Sequence, residues 1–138
     1  MNRYFNAAIV MHKDVCQFER LLRAIYRPSN YYCIHLDGKS NVLKSVEALA
    51  NCFPGRVGVL SKVNVTWGDA SVLVANLECM QWLVNKGEWK YFINLVGQEF
   101  PLKTNLQLIR ILMAINGANI IDGSRKRFQF VNFMKSSH

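Results

Sequence analysis

Long apolar runs are missing from this chain, and their absence limits the classes of protein to which it can belong. No stretch approaches the roughly 18 to 20 consecutive apolar residues that a membrane-spanning helix needs, and the N-terminus has no apolar stretch of signal-peptide character. Repeats and low-complexity segments are absent too. The chain has 138 residues, of which 51% are hydrophobic. It therefore has the size of one globular domain with a hydrophobic core.

The motifs of several common cofactor and metal sites are also absent. Neither GxGxxG nor GxxxxGK(S/T) occurs, so a nicotinamide enzyme and a P-loop phosphotransferase are disfavoured. The four cysteines show no CxxC spacing and only three histidines accompany them, so a zinc site is disfavoured as well. The Asp-x-Asp arrangement, with which many sugar transferases hold a divalent metal on the donor diphosphate, does not occur either.

Acidic residues are few. The sequence has 9 Asp and Glu against 17 Lys and Arg, which gives a formal net charge of +8. Such a charge suits an anionic partner, for example nucleic acid, a phosphate-bearing ligand or an acidic membrane surface. Apart from Arg125, Lys126 and Arg127, however, the basic residues are scattered, which is usual for a solvated surface. No basic helix and no RNA-binding aromatic motif occurs, so we expect no nucleic-acid partner.

The chain does contain a regular alternation of segments with strand and helix character. Between the predicted strands lie four segments whose apolar residues recur at helical spacing. The resulting β-α-β-α-β-α-β-α-β order predicts an α/β fold, with an open, mostly parallel sheet and helices on both of its faces. The strands are predicted where short apolar runs meet turn signals, at residues 7–11, 31–36, 57–60, 89–95 and 118–121.

Each predicted helix begins at a residue that can cap it. Asp14 is expected to cap the first helix, Ser40 the second and Asp69 the third. Thr104 and Gln107 form a capping box for the fourth helix.

The first and third helices have apolar faces that we expect to pack on the sheet, because such a face is buried against a neighbouring element. The face of the first helix consists of Phe18, Leu21, Leu22 and Ile25. The face of the third consists of Leu73, Leu77, Met80 and Val84.

Polar side chains follow several of the strands, and in open parallel sheets ligands bind beyond the carboxyl ends of the strands. Asp37 follows the second strand, where nucleotide-binding sheets often hold a ribose hydroxyl with a carboxylate. We favour a functional role for Asp37, since a turn-forming Asn or Gly could perform any structural duty there. The other candidates have structural alternatives: His12 as an ordinary strand-end residue, Lys39 as a solvated charge, Trp67 as core and Glu99 as the cap of a turn.

Four longer segments of the sequence carry a family resemblance when they are taken together. They are residues 9–14 (IVMHKD), 20–37 (RLLRAIYRPSNYYCIHLD), 67–79 (WGDASVLVANLEC) and 89–105 (WKYFINLVGQEFPLKTN). These segments resemble the core-2/I-branching β-1,6-N-acetylglucosaminyltransferase family. The resemblance runs in order from about Ala7 to about Asp122 and implies a variant of the GT-A nucleotide-sugar fold. The family also contains, more distantly, the peptide O-xylosyltransferases, to which the sequence is less similar.

This resemblance implies an inverting transfer of N-acetylglucosamine from UDP-N-acetylglucosamine to the 6-hydroxyl of GalNAc or Gal in a glycan acceptor, with no metal ion and no cofactor. It also implies a UDP-sugar site, in which the aromatic residue Trp67 is a stacking surface. Asp122 falls near an acidic acceptor-binding position of the family. The residues that the resemblance assigns to the UDP-sugar site are Val10, Met11, His12, Asp37, Gly38, Lys39 and Trp67.

The cysteines are interpreted from the same resemblance. It pairs Cys33 with Cys79, in a disulfide that would join sheet to helix. Cys52 matches a family cysteine whose partner lies upstream of the conserved domain, so we expect it to be unpaired. Cys16 has no family counterpart and is interpreted as a buried thiol. The triplet Asn64-Val65-Thr66 fits the N-glycosylation pattern, which matters if the protein enters the secretory route.

The family's general base and an Arg/Lys pair lie beyond the segments matched here, so the catalytic residues of this chain are not assigned. We expect residues 1–138 to be the N-terminal, UDP-sugar-binding part of a catalytic domain, and a fragment with little turnover. The family resemblance places the enzyme on the lumenal side of the Golgi membrane, held by a type II anchor that this chain lacks. The alternatives are a non-catalytic nucleotide-binding or structural domain and a peptide O-xylosyltransferase-like member.

Overall fold

The computed structural model describes residues 5–120, in which strands and helices alternate without exception. Asp122 and the last residue of the fifth predicted strand lie outside this range. Within it, residues 118–120 are not a strand, so that part of the prediction is wrong. The eight elements are β1 (Phe5–Met11), α1 (Val15–Ile25), β2 (Tyr32–Leu36), α2 (Leu43–Asn51), β3 (Val57–Leu60), α3 (Ser71–Val84), β4 (Tyr91–Val96) and α4 (Asn105–Ala114).

The four strands form one parallel sheet in the order β3-β2-β1-β4. Ile9 in the middle of β1 lies opposite Ile34 of β2 on one side and Leu95 of β4 on the other. The chain thus builds the sheet outwards from β1 to β3 and then returns to the far side of β1 with β4. The connections diverge between β1 and β4, which creates a crevice at their carboxyl ends where ligands bind in such folds.

The sheet is covered by helices on both faces, as predicted. Every residue of β1 is buried, which agrees with its continuous apolar sequence and its central place. Alternate residues such as Ile9 and Met11 contribute to the larger core cluster, together with apolar residues of α1, α2 and α4. On the opposite face, Ala8 and Cys33 pack with Cys79 and Leu83 of α3.

Two of the four predicted caps are confirmed. Asp14 adopts a left-handed backbone conformation (φ 59°, ψ 65°), and its carboxylate accepts a hydrogen bond from the N–H of Gln17 at 3.1 Å. At the start of α4, the hydroxyl of Thr104 accepts from the N–H of Gln107, whose side chain accepts from the N–H of Thr104 in return. Helix α1 also buries its predicted face: Phe18, Leu21, Leu22 and Ile25.

The other two predicted caps are wrong. Helix α2 begins at Leu43 and has no side-chain cap, and the hydroxyl of Ser40 donates to the carbonyl oxygen of His12 at 2.7 Å. Helix α3 begins at Ser71, two residues after Asp69, and has no side-chain cap. In that loop, the Ser71 hydroxyl accepts from the N–H of Thr66 at 2.8 Å.

Helix α3 packs on the sheet with a different face from the one predicted. It buries Ala75, Cys79 and Leu83. Apolar residues lie all around this helix, so their spacing does not single out one face, whereas small residues permit close approach to the sheet. The predicted face is largely open instead, since Leu73, Leu77 and Val84 are 61%, 50% and 59% exposed.

The structure contains a disulfide between Cys33 of β2 and Cys79 of α3, the pairing that the family resemblance implies. Their Cα atoms are 5.4 Å apart. Cys16 and Cys52 are free and exposed, so the interpretation of Cys16 as a buried thiol is wrong. Among residues 5–120, no helix is both long and apolar enough to cross a membrane.

Candidate functional site

A cavity of about 460 Å³ lies at the carboxyl ends of β1 and β4, at the point where the connections of the sheet diverge. It brings together five of the seven residues that the family resemblance assigns to the UDP-sugar site, although they come from three separate parts of the chain. These five are Val10, Met11, His12, Asp37 and Trp67. The remaining wall is formed by Val65, Val72, Asn76, Asn94, Leu95, Val96, Gln98 and Glu99.

Asp37 is the buried carboxylate of this cavity, with 8% of its surface exposed. One carboxylate oxygen, Oδ1, accepts from the backbone N–H of Lys39 at 3.0 Å and from that of Val65 at 3.1 Å. The other oxygen, Oδ2, lies 3.7 Å from the ammonium of Lys39. The first oxygen therefore fixes the orientation of the side chain, and the second retains capacity to accept a hydrogen bond from a ligand.

The surroundings of Asp37 keep it ionised. Burial by itself raises the pKa of this carboxyl group, but the two backbone N–H groups and the charge of Lys39 lower it by more. The net result is a pKa below the ordinary value, to which the nearby His12 also contributes. Asp37 is thus a permanent acceptor at neutral pH and is suited to a hydroxyl donor.

Gly38 and Lys39 lie beside the cavity and hold the loop that contains Val65. The ammonium of Lys39 donates to the carbonyl oxygen of Val65 at 2.8 Å. The N–H of Gly38 donates to the carbonyl oxygen of Val63 at 3.0 Å, and a Cβ at Gly38 would overlap Oδ1 of Asn64. A larger residue at position 38 would therefore displace the side chain of Asn64. Gly38 acts on the site through this loop, whereas Lys39 also contacts Asp37 directly.

Trp67 and His12 lie at the open side of the cavity. Trp67 is 96% exposed, so the alternative interpretation of it as a core residue is wrong. An indole ring with an open face can stack on a planar ligand ring. His12 is exposed as well and directly follows β1, while its carbonyl oxygen is bonded to Ser40. Both side chains are free to meet a ligand that enters between β1 and β4.

The loop that follows β4 forms part of the cavity wall. The carboxylate of Glu99 accepts from the N–H of Val96 at 2.8 Å, which is the turn-capping role given above as its structural alternative. A Cβ at Gly97 would lie 2.6 Å from Cβ of Met11, so this loop packs directly on the end of β1. Gln98 also lines the cavity and is exposed.

Six wall residues were not found from the sequence: Val65, Val72, Asn76, Asn94, Leu95 and Val96. Val65 contributes through its backbone N–H, for which side-chain identity carries no signal. Asn94 lies within β4, one residue before the wall residue Leu95. Asn76 lies three residues before Cys79, on the disulfide-bearing side of α3, and that helical spacing could have indicated it. Its side-chain nitrogen donates to the carbonyl oxygen of Val72 at 2.9 Å.

No group of three or more His, Cys, Asp or Glu side chains within residues 5–120 is arranged to hold a metal ion. Asp122, the acceptor-site candidate, lies outside the described residues.

A four-stranded parallel sheet with helices on both faces and a crevice at its switch point defines the class of open α/β domains. Comparison with known proteins is more specific. The family model of the Core-2/I-Branching enzyme matches residues 7–132, and the chain belongs to this family.

The relatives of known name are similar to the chain over most of its length. It is 45% identical over 118 residues to the N-acetyllactosaminide β-1,6-N-acetylglucosaminyl-transferase of Homo sapiens, which covers 83% of the chain and 29% of that protein. It is 43% identical over 133 residues to the β-1,3-galactosyl-O-glycosyl-glycoprotein β-1,6-N-acetylglucosaminyltransferase 4 of Danio rerio, which covers 89% of the chain and 31% of that protein. The chain thus spans less than a third of the length of these two relatives.

Proposed function

We propose that this chain forms the donor-nucleotide part of an inverting β-1,6-N-acetylglucosaminyltransferase. The observation that carries the proposal is that Val10, His12, Asp37 and Trp67 line one cavity at the switch point of the sheet. Both named relatives are β-1,6-N-acetylglucosaminyltransferases. The proposed donor is UDP-N-acetylglucosamine.

Asp37 has the chemistry to hold the ribose. Its carboxylate is ionised, is fixed by the N–H groups of Lys39 and Val65, and keeps an acceptor oxygen available. A ribose hydroxyl can donate to that oxygen in a charge-assisted hydrogen bond, which contributes about 1.5 to 3 kcal/mol. The exposed indole of Trp67 can stack on the uracil ring.

In the proposed reaction, the 6-hydroxyl of the acceptor sugar attacks the anomeric carbon of N-acetylglucosamine. The bond from that carbon to the UDP oxygen breaks, UDP leaves with the bonding electrons, and a general base takes the hydroxyl proton. The family resemblance places this base and the cationic groups that stabilise UDP beyond the matched segments. We propose that no metal ion takes part, in keeping with the absence of an Asp-x-Asp arrangement from the sequence.

The proposed acceptor is a galactose or N-acetylgalactosamine residue of a glycan, and the proposed location is the Golgi lumen. The names of the relatives support a glycan acceptor, since they refer to N-acetyllactosaminide and to β-1,3-galactosyl-O-glycosyl-glycoprotein. The disulfide between Cys33 and Cys79 supports an oxidising compartment.

Calorimetric titration of the chain with UDP and UDP-N-acetylglucosamine tests the donor site. We expect binding that EDTA does not change and that Asp37→Ala weakens by about 10-fold to 100-fold, the equivalent of one charge-assisted hydrogen bond. Asp69→Ala is the matched control, because Asp69 is an exposed carboxylate near the site that does not line the cavity.

Thermal unfolding of both variants without nucleotide separates binding from folding, since Asp37 also anchors the loop at Val65. Equal weakening by both variants, or no binding by a folded chain, would contradict a donor site at Asp37. Binding that EDTA abolishes would contradict the metal-independent mechanism.

A further inference from the structure

The triplet Asn64-Val65-Thr66 is a feature of the sequence that the proposed donor site does not explain. Asn64 is the only asparagine of the 138-residue chain that is followed, two positions later, by serine or threonine. The residue between them is not proline, so the triplet is an acceptor pattern for N-glycosylation.

The structure places this triplet in an accessible position. It lies in the connection between β3 and α3, where residues 61–66 have no helix or strand structure. Asn64 and Thr66 are both exposed. The hydroxyl of Thr66 makes no hydrogen bond within residues 5–120, since Thr66 contributes to the fold through its backbone N–H and carbonyl groups. The side chains of Asn64 and Thr66, which define the acceptor triplet, are therefore accessible to a modifying enzyme.

Asn64 is adjacent to the cavity but is not part of its wall. Its neighbour Val65 lines the cavity, whereas Asn64 does not. Because Asn64 is exposed, a group attached to its side chain would be added at the surface, next to the rim of the cavity.

The disulfide indicates, independently of the triplet, the cellular compartment in which the chain folds. The bond between Cys33 and Cys79 joins β2 to α3, and such structural disulfides form in the oxidising secretory route. The same route contains the machinery that modifies exposed acceptor triplets.

We propose that Asn64 is an N-glycosylation site, which carries an oligosaccharide at the rim of the candidate donor site. The donor is a lipid-linked pyrophosphate oligosaccharide. Nδ2 of Asn64 bonds to the anomeric carbon of its first sugar, and the bond from that carbon to the pyrophosphate oxygen breaks. The lipid pyrophosphate leaves with the bonding electrons, and the proton lost by the amide nitrogen passes to the solvent. The inference rests on the proposed passage through the secretory route and is independent of nucleotide binding.

The test is expression of the full chain behind a cleavable secretion signal in human cells, with analysis of both lysate and medium. We expect a single shift to lower electrophoretic mobility that PNGase F removes. Mass spectrometry after that digestion should find aspartate at position 64, since the enzyme converts a glycosylated asparagine into aspartate. Because the modification acts on the entering chain, the lysate reports it even if little protein is secreted.

Three variants make the assignment specific. Asn64→Gln and Thr66→Ala should each abolish the shift, whereas Thr66→Ser should keep it because serine completes the same pattern. Cleavage of the signal shows that the chain has entered the secretory route. A chain whose signal has been cleaved, but whose mobility PNGase F does not change, would overturn the proposal, as would a shift that persists in Asn64→Gln. UDP titration is unaffected by either outcome, so the donor-site proposal is tested separately.

Discussion

At the scale of single residues, His35 is a buried ionisable group outside the cavity wall. It follows Cys33 by two positions on β2 and therefore lies on the α3 side of the sheet. It is fully buried, and neither ring nitrogen has a hydrogen-bond partner within residues 5–120. Burial lowers the pKa of His35, while the charges of Glu78 and Asp37 raise it in part and that of Lys62 lowers it further. The net direction is downwards.

This lowered pKa predicts that the fold loses stability in weak acid. The unfolded chain binds a proton at His35 below a pKa of about 6.5, whereas the folded chain does so only at lower pH. The contribution of His35 to the free energy of unfolding should therefore be at its maximum above about pH 6.5. As the pH drops from there towards the pKa of His35 in the folded chain, the free energy of unfolding should fall by at most about 1.4 kcal/mol per pH unit. Urea unfolding between pH 7.5 and pH 5 measures it.

One variant assigns this pH dependence to His35. His35→Leu keeps a buried side chain of similar size without a titratable group, and it should flatten the profile. Equal slopes for the wild-type chain and His35→Leu would contradict the prediction. The lowered pKa of Asp37 does not interfere, because its contribution is lost near and below its ordinary pKa of about 4.

The sequence predicts those residues of the cavity that follow a strand and contribute through their own side chains. Asp37 and His12 could be predicted because the carboxyl ends of parallel strands meet at one edge of the sheet. Val65 could not, since any residue other than proline provides the N–H that it donates to Asp37. Asp69 and Ser40 were misassigned as helix caps, because the choice between a cap and a loop contact depends on partners distant in the chain, such as the carbonyl oxygen of His12.

At the scale of elements, the disulfide links α3 covalently to β2 of the sheet. The bond closes a loop of 46 residues between Cys33 and Cys79. Removal of such a cross-link costs about 2 to 4 kcal/mol. We expect the paired substitution Cys33→Ala and Cys79→Ala to lower the free energy of unfolding by about this amount, as measured by urea unfolding.

The free cysteines provide the matched control for this prediction. Cys16 and Cys52 are exposed and unpaired, so Cys16→Ala and Cys52→Ala together should change the free energy of unfolding by no more than about 0.5 kcal/mol each. A cost for the control pair as large as for Cys33 and Cys79 would mean that the disulfide is not what stabilises the packing of α3.

The face of α3 that contacts the sheet can be tested by substitution as well. Leu83 is fully buried and Leu77 is 50% exposed, although the helical spacing of the sequence favoured the face that contains Leu77. We expect Leu83→Ala to cost about 2 to 5 kcal/mol, through lost burial and the cavity it leaves. Leu77→Ala should cost much less. Similar costs in urea unfolding would favour the face predicted from the sequence.

Patterns in neighbouring residues were sufficient to predict some helices and strands but not others. The order of strands and helices up to α4 could be predicted, because strand runs and helical spacing are local patterns. The orientation of α3 could not be predicted from its spacing, since apolar residues surround it and Ala75 and Cys79 decide which side approaches the sheet. The fifth strand was predicted at residues 118–121 from a short run of strand-forming residues, and residues 118–120 show that such a run alone does not make a strand.

At the scale of the whole molecule, the excess of basic residues bears on the capture of the proposed donor. The formal net charge of +8 creates a positive field around the chain, and UDP carries a diphosphate that this field attracts. The basic residues are scattered along the chain, so most of this attraction acts over distance and not through contact. Interactions of that kind are screened by salt, with a Debye length of about 10 Å at 0.1 M and about 3 Å at 1 M.

We therefore expect UDP to bind the chain more weakly as the salt concentration rises from 50 mM to 500 mM, whereas uridine should bind with an affinity that changes little. Uridine keeps the ring and the ribose hydroxyls for which we propose contacts with Trp67 and Asp37, but it has no phosphate charge. Titration of both ligands at the two salt concentrations measures the difference. An equal loss for uridine would show that salt disturbs the ring and ribose contacts themselves. No loss for UDP would show that the net charge does not contribute, and that the short-range contacts of the cavity carry the binding alone.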